Sequence, residues 1–172
     1  AYPGDVIGLV NASSLRVGDT LYDGEPVAFP PIPLFPPEYF GVATPFDAGR
    51  QKQFRRGIDQ LGEEGVVQIL RSDRRGDQAP VLAAVGPMQF EVASHRMEHE
   101  FGAPIHVSFL SYSVARRITA EAAPLLAAKH GAEVLTRTDG ALVAVFSDRW
   151  RLSTVSSELP KGSLQPLFGA GA

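Results

Sequence analysis

Cysteine is absent from all 172 residues. That excludes disulfides, a thiolate nucleophile and Cys-ligated zinc, and it fits a reducing compartment. No stretch approaches the roughly 18 consecutive apolar residues of a membrane span, and no signal-peptide pattern is visible. The expectation is a soluble, intracellular, cytoplasmic protein with no membrane partner. The phosphate-binding patterns G-x-x-x-x-G-K-[ST] and G-x-G-x-x-G are both missing, as is the G-x-S-x-G nucleophile elbow. No charge of one sign dominates either: 16 Lys and Arg stand against 19 Asp and Glu, a net charge of −3. Without a global basic field, any nucleic-acid contact has to come from a local patch.

What is present is enough apolar material for a packed core, 44% of the residues, in an α/β (α+β) arrangement. Residues 4–29 alternate short apolar runs with Gly-Asp and Asp-Gly punctuation, the spacing of three short strands of a barrel or meander. A chain that opens on such a run suggests a piece of something longer, with barrel neighbours elsewhere. "PVAFPPIPLFPP" (26–37) holds six prolines and reads as a stiff interdomain linker. Its PxxP spacing, Pro30 to Pro33 and Pro33 to Pro36, has no flanking basic residue to favour SH3-type recruitment. From residue 38 the order is βαββαβ, up to residue 110. A strand "YFGVATP" comes first, then a helix N-capped by Asp47 over about 48–62. Strands at 65–72 and 80–86 follow, then a helix opened by Pro87 to about Phe101, and a strand at 104–110. Gln53, Phe54, Leu61 and Glu64 recur 36 residues later as Gln89, Phe90, Met97 and Glu100, which suits the pseudo-symmetry of a split-βαβ (ferredoxin-like) unit. Residues 111–172 read as a βαββα extension. It comprises a strand at 112–119, a helix at 120–130 with Pro124 awkward inside it, a hairpin on a type I′ Asp139-Gly140 turn, and a closing helix at 148–158. The terminal "GAGA" reads as frayed.

Two features invite chemistry. "HRMEH" (95–99) has the H-x-x-E-H zinc spacing of the inverzincin proteases, through His95, Glu98 and His99. At ~100° per residue, however, Phe90, Ser94, Met97 and Phe101 form the main apolar stripe and both histidines point away from it. No third carboxylate ligand stands in a convincing context, so the zinc hydrolase is the remote alternative and the helix reads as scaffold. The second feature is basic. Arg50, Lys52, Arg55 and Arg56 load the first half of one helix and Glu63 and Glu64 end it, a polarity opposed to the helix macrodipole. Arg71, Arg74 and Arg75 add a second basic site in the loop after the next strand. Lys52, Arg55, Arg56, Arg71, Arg74 and Arg75 are therefore the candidate contacts to phosphate backbone. No catalytic, cofactor-binding or metal-binding residues are assigned.

Three blocks of sequence carry a resemblance. "AYPGDVIGL", "LRVGDTL" and "DGE" come first, then "QLGEEGVVQIL", then "AVGPMQFEVASHRMEHEFG", followed by "YSVAR" and "DGALVAVF". Together they resemble the C-terminal part of the peptide chain release factor 3 family, translational GTPases that recycle class I release factors. The resemblance implies that residues 1–33 are the last strands of the second, β-barrel domain. It implies that residues 38–172 are a third domain whose first half is similar to the third domain of elongation factor G. It places GTP and Mg in an N-terminal G domain, so that the present residues hold no cofactor and are not themselves an enzyme. The implied partners are the ribosome, through ribosomal RNA and proteins, and class I release factors. An elongation factor G-like parent is the alternative. The tail "PKGSLQPLFGAGA" departs from the family pattern.

Overall fold

Strict alternation along the strands builds the main unit. Val81 and Ala83 turn to one face of their strand and Leu82 and Ala84 to the other, and all four are buried. A strand buried on both faces needs a layer on each side, and the rest of the chain supplies both. The computed structural model describes residues 2–12, 15, 17–30, 35–76, 78–127 and 129–168. The elements are β1 (Tyr39–Pro45), α1 (Gln51–Glu63), β2 (Gln68–Arg71), β3 (Val81–Ala84), α2 (Met88–His99), β4 (Ile105–Phe109), β5 (Val114–Ile118), α3 (Ala123–Ala127), β6 (Ala132–Arg137), β7 (Leu142–Phe146), α4 (Arg149–Glu158) and β8 (Leu164–Gln165). They form one eight-stranded sheet in the order β4-β1-β3-β2-β6-β7-β5-β8, with every pairing antiparallel.

The first four strands, β4-β1-β3-β2, with α1 and α2 on one face, are the expected split-βαβ unit. The other four repeat it. Reading β5-α3-β6-β7-α4-β8 as a second βαββαβ gives the same spatial order, β8-β5-β7-β6. The two units join through their second strands, with Leu70 opposite Arg137 and Arg71 opposite Thr136. The extension expected as βαββα thus gains a final strand, β8, which pairs Leu164 with Ile118. Two residues are too few to carry a periodic signal.

Three apolar clusters follow from the alternation. Phe54, Ile58 and Leu61 of α1 and Phe90, Ala93 and Met97 of α2 pack on Ala43, Ile69, Leu82 and Ile105. Leu126, Val155 and Leu159 cover Ile118, Ala144 and Phe146 in the second unit. The third cluster lies between the two half-sheets: Phe40, Leu70, Val81 and Ala83 meet Ala115, Leu135, Val143 and Val145. A lone split-βαβ sheet leaves its helix-free face open, and here each unit closes the other's.

Local chemistry sets the boundaries. Asp47 accepts from the Gly49 N–H at 2.8 Å and caps a 3-10 turn, Ala48–Arg50, that leads into α1. After α1, Gly65 N–H reaches Gly62 O and Val66 N–H reaches Leu61 O, so β2 begins at Gln68 and not at 65. The helix expected over 120–130 shrinks to Ala123–Ala127, because Pro124 has no N–H to donate and is tolerated only in the first turn. The β6–β7 hairpin exists, but its turn is not type I′. Arg137 N–H bonds Ala141 O and Gly140 N–H bonds Arg137 O. Positive φ falls on Gly140 (83°) alone, the three-residue loop with a left-handed glycine.

Residues 1–32 form a separate unit. Among its described residues no strand is present, which corrects the expectation of three formed strands over 4–29. A strand exists only through ladder partners, and none is supplied here. Val6, Val10 and Val17 remain 100%, 88% and 74% exposed. Part of the second expected strand (Ser13, Ser14, Arg16), the PxxP centre of the linker (31–34) and the "GAGA" tail (169–172) lie outside the described residues.

Candidate functional site

The outer face of α1 is built by one periodicity. Lys52, Arg55, Arg56 and Asp59 recur at i, i+3, i+4 and i+7, opposite the buried Phe54, Ile58 and Leu61. Lys52, Arg55 and Arg56 are exposed and make no hydrogen bond or ion pair among the described residues. Arg50, just before them, turns inward to Asp47 (3.5 Å) and the Gly102 carbonyl. Arg71 of β2 lies at the flank of the same face, 3.6 Å from Asp59. The exposed cations thus sit on a rigid helix, where a phosphate backbone could reach them without reordering the chain.

The other two arginines are tied to the fold, Arg75 half-buried and Arg74 exposed. The Arg74 guanidinium donates to the Ala127 carbonyl at the end of α3. Arg75 donates to Glu133 of β6, whose side chain is 2% exposed. Glu133 also accepts from Ser72 Oγ at 2.6 Å and Tyr112 Oη at 3.1 Å, so this buried carboxylate of the second unit meets three donors from outside its own strand. Burial alone pushes the Glu133 carboxyl up; the bonds from Arg75 and Ser72 outweigh it, and the net direction is down. Burial raises the Tyr112 hydroxyl, and the adjacent Glu133 charge raises it further. Six arginines and lysines of similar appearance in the sequence therefore divide: Lys52, Arg55 and Arg56 free, Arg71 at their edge, Arg74 and Arg75 structural.

A second charged cluster links the helices. Arg96 of α2 pairs with Glu100 (2.7–2.9 Å) and with Glu64 at the end of α1. Glu64 and Glu100 are equivalent positions of the 36-residue repeat, and they close on one guanidinium. Phe54 with Phe90, and Leu61 with Met97, are likewise equivalent and buried together. The Gln53–Gln89 match has no such counterpart. Gln53 is exposed, whereas Gln89 accepts from the Val85 and Gly86 N–H groups and donates to Val66 O.

"HRMEH" forms the C-terminal half of α2, with His95 and His99 away from the main apolar stripe as expected, and exposed. Among the described residues no three His, Cys, Asp or Glu side chains converge as a metal site. A cavity of about 470 Å³ beside β2 and β3 is lined by Val67, Ile69, Ala83, Val85 and Phe168. Of its polar groups, Gln68 Oε1 is buried without a hydrogen-bond partner among the described residues, whereas Gln89 is engaged with backbone and Arg137 with Asp139 at 2.5 Å. That pair holds the Asp139 carboxyl down to about 2. No described helix is long and apolar enough to cross a membrane.

The strand order and the paired cores define the class: an α+β domain of two split-βαβ units sharing one antiparallel sheet, with a cationic helix face at one side. More narrowly, "Class II release factor RF3, C-terminal domain" matches residues 29–156, and the chain belongs to that family. It is 40% identical over 163 residues (93% of the chain) to peptide chain release factor 3 of Symbiobacterium thermophilum. It is 38% identical to the proteins of that name from Synechocystis (92% of the chain) and Gloeothece citriformis (100% of the chain). The chain spans between 29 and 32% of the length of these three relatives.

Proposed function

We propose that the chain is the ribosome-engaging C-terminal part of a cytoplasmic translational GTPase that acts in translation termination. In this reading the parent promotes release and recycling of class I release factors. GTP and Mg are bound elsewhere in it, and the present domain does no chemistry of its own. The observation that carries the reading is the family match over residues 29–156, joined to relatives named peptide chain release factor 3. It favours a release-factor parent over an elongation factor G-like one. The exposed cations on α1 are the physical support for ribosome contact: Lys52, Arg55 and Arg56 make the primary contact with ribosomal RNA or protein, with Arg71 beside them. Arg74 and Arg75 act indirectly, by holding the loop after β2.

The test is co-sedimentation of the purified chain with ribosomes across a salt series. Binding is expected to weaken as salt rises. Arg55→Glu with Arg56→Glu lowers affinity and flattens the salt dependence by roughly one unit of slope for each phosphate left unneutralised. The purified chain is expected to leave GTP unhydrolysed. Undiminished binding of the double variant would return α1 to a merely solvated face.

A further inference from the structure

His95 and His99 lie one turn apart on the exposed side of α2, away from Phe90, Ala93 and Met97, which pack in the core. Their rings stack with centroids 4.1 Å apart and planes within 15°. The His99 Nδ1 is 2.9 Å from the His95 carbonyl oxygen. A carbonyl can only accept, so Nδ1 carries a proton, and in the neutral tautomer this leaves the lone pair on Nε2. A backbone carbonyl fixing one ring nitrogen while the other stands free is the outer-shell arrangement of metal-bound imidazoles. The helix beneath is held as well. Arg96, between the two histidines, is tied to Glu64 and Glu100, which anchors this turn and offsets the guanidinium charge.

From this geometry we propose that His95 and His99 form a two-point binding site for a borderline divalent transition metal: Cu²⁺, Ni²⁺ or Zn²⁺. Two nitrogens bound to one tetrahedral zinc at about 2.0–2.1 Å stand roughly 3.3 Å apart, and the stacked rings lie close enough for side-chain rotation to bring one nitrogen of each onto a shared ion. Glu91, one turn before His95 in the same row, and Glu98 add negative charge on the exposed surface of α2. No third His, Cys, Asp or Glu completes a ligand set among the described residues, so water fills the remaining positions. The site binds an ion and lacks the three-ligand cage of a hydrolytic zinc. The inference is independent of the ribosome reading.

The experiment is calorimetric titration of the tag-free chain with Cu²⁺ and with Zn²⁺, with electron paramagnetic resonance of the Cu²⁺ complex. One ion per chain is expected, at submillimolar Kd, with Cu²⁺ tighter than Zn²⁺ and a two-nitrogen spectrum. His95→Ala and His99→Ala should each weaken binding by about tenfold or more, as loss of a ligand requires. His106→Ala and His130→Ala should leave it unchanged. Both target histidines are exposed, so the variants should keep the native circular dichroism; His99→Gln serves as a second, more conservative loss of the ligand. Full affinity in the His95 and His99 variants, or a Kd above millimolar, overturns the proposal.

Discussion

Glu133 faces the space between the two half-sheets, where a carboxylate is costly unless its charge is met. Its partners come from the β2–β3 loop (Ser72, Arg75) and the β4–β5 connection (Tyr112), so one side chain ties the second unit to the first. Removing it leaves Arg75 without its carboxylate partner. Glu133→Ala is expected to destabilise the domain by about 3 kcal/mol, the lower end for a broken buried pair because Arg75 is one-quarter exposed. Glu133→Gln, which can still bond Ser72 and Tyr112, should cost less; urea unfolding of both variants measures the difference. The sign of the pH effect follows from the same contacts. Glu133 and Glu64 are held below their ordinary value, and Asp139 at about 2. Such groups contribute stability that is complete above the unfolded carboxylate range and drains away as pH falls through the native values. Stability should therefore be level near neutrality and decline from about pH 5 toward pH 2, with a shallower decline in Glu133→Gln. Little of this was legible in the sequence. In "AEVLTRT" the alternation places Glu133 with Leu135, but only the folded second unit shows that this face is interior. Arg75 likewise looks like Arg74 until Glu133 is found beneath it.

At the scale of elements, α1 and α2 approach closely because of one residue. A Cβ built on Gly57 would stand 2.5 Å from Met97 Sδ and 2.9 Å from the Phe101 ring. Ordinary helix propensity favours alanine over glycine by about 1 kcal/mol in a helix interior. Overpacking a closed interface costs about 1–3 kcal/mol, so the steric term wins and Gly57→Ala should lower Tm. The neighbouring exposed substitution Gln53→Ala, which meets no such wall, serves as the control and should leave Tm nearly unchanged. A higher Tm for Gly57→Ala would mean that α2 shifts outward freely. The 36-residue echo foreshadowed the core that α1 and α2 share, since Phe54/Phe90 and Leu61/Met97 are buried in one cluster. Long elements with clean periodicity were readable for that reason. The short extent of α3 and the whole of β8 were not: a five-residue helix opened by proline and a two-residue strand owe their form to tertiary contacts and carry no period of their own. The three strands expected in residues 4–29 failed for a related reason, because alternation marks the capacity to pair and a strand needs a partner.

For the unit from residue 33 onward as a whole, the question is whether two split-βαβ units in one chain unfold as one or two. The seam ladder is short, with only Leu70 opposite Arg137 and Arg71 opposite Thr136. Backbone pairing of that length could not couple the halves, since each net hydrogen bond is worth only about 1 kcal/mol. The shared cluster can: Phe40, Leu70, Val81 and Ala83 from one unit are buried against Leu135, Val143 and Val145 from the other. Separating the halves would bare both sheet faces at once. Unfolding is therefore expected to be a single transition, and a cavity at the shared face should weaken both units equally. Leu135→Ala, at a position 1% exposed, should cost about 2–5 kcal/mol. Although Leu135 belongs to the second unit, native-state hydrogen exchange should show the slowest amides of β1 and β3 in the first unit losing the same protection as those of β7. Loss confined to β5–β8, with β1 and β3 unmoved, would show two independent domains that merely share a sheet edge. Equal loss in both would mean that the interior face between the half-sheets, more than the hydrogen-bonded seam, makes the cationic α1 surface and the second unit parts of one rigid body.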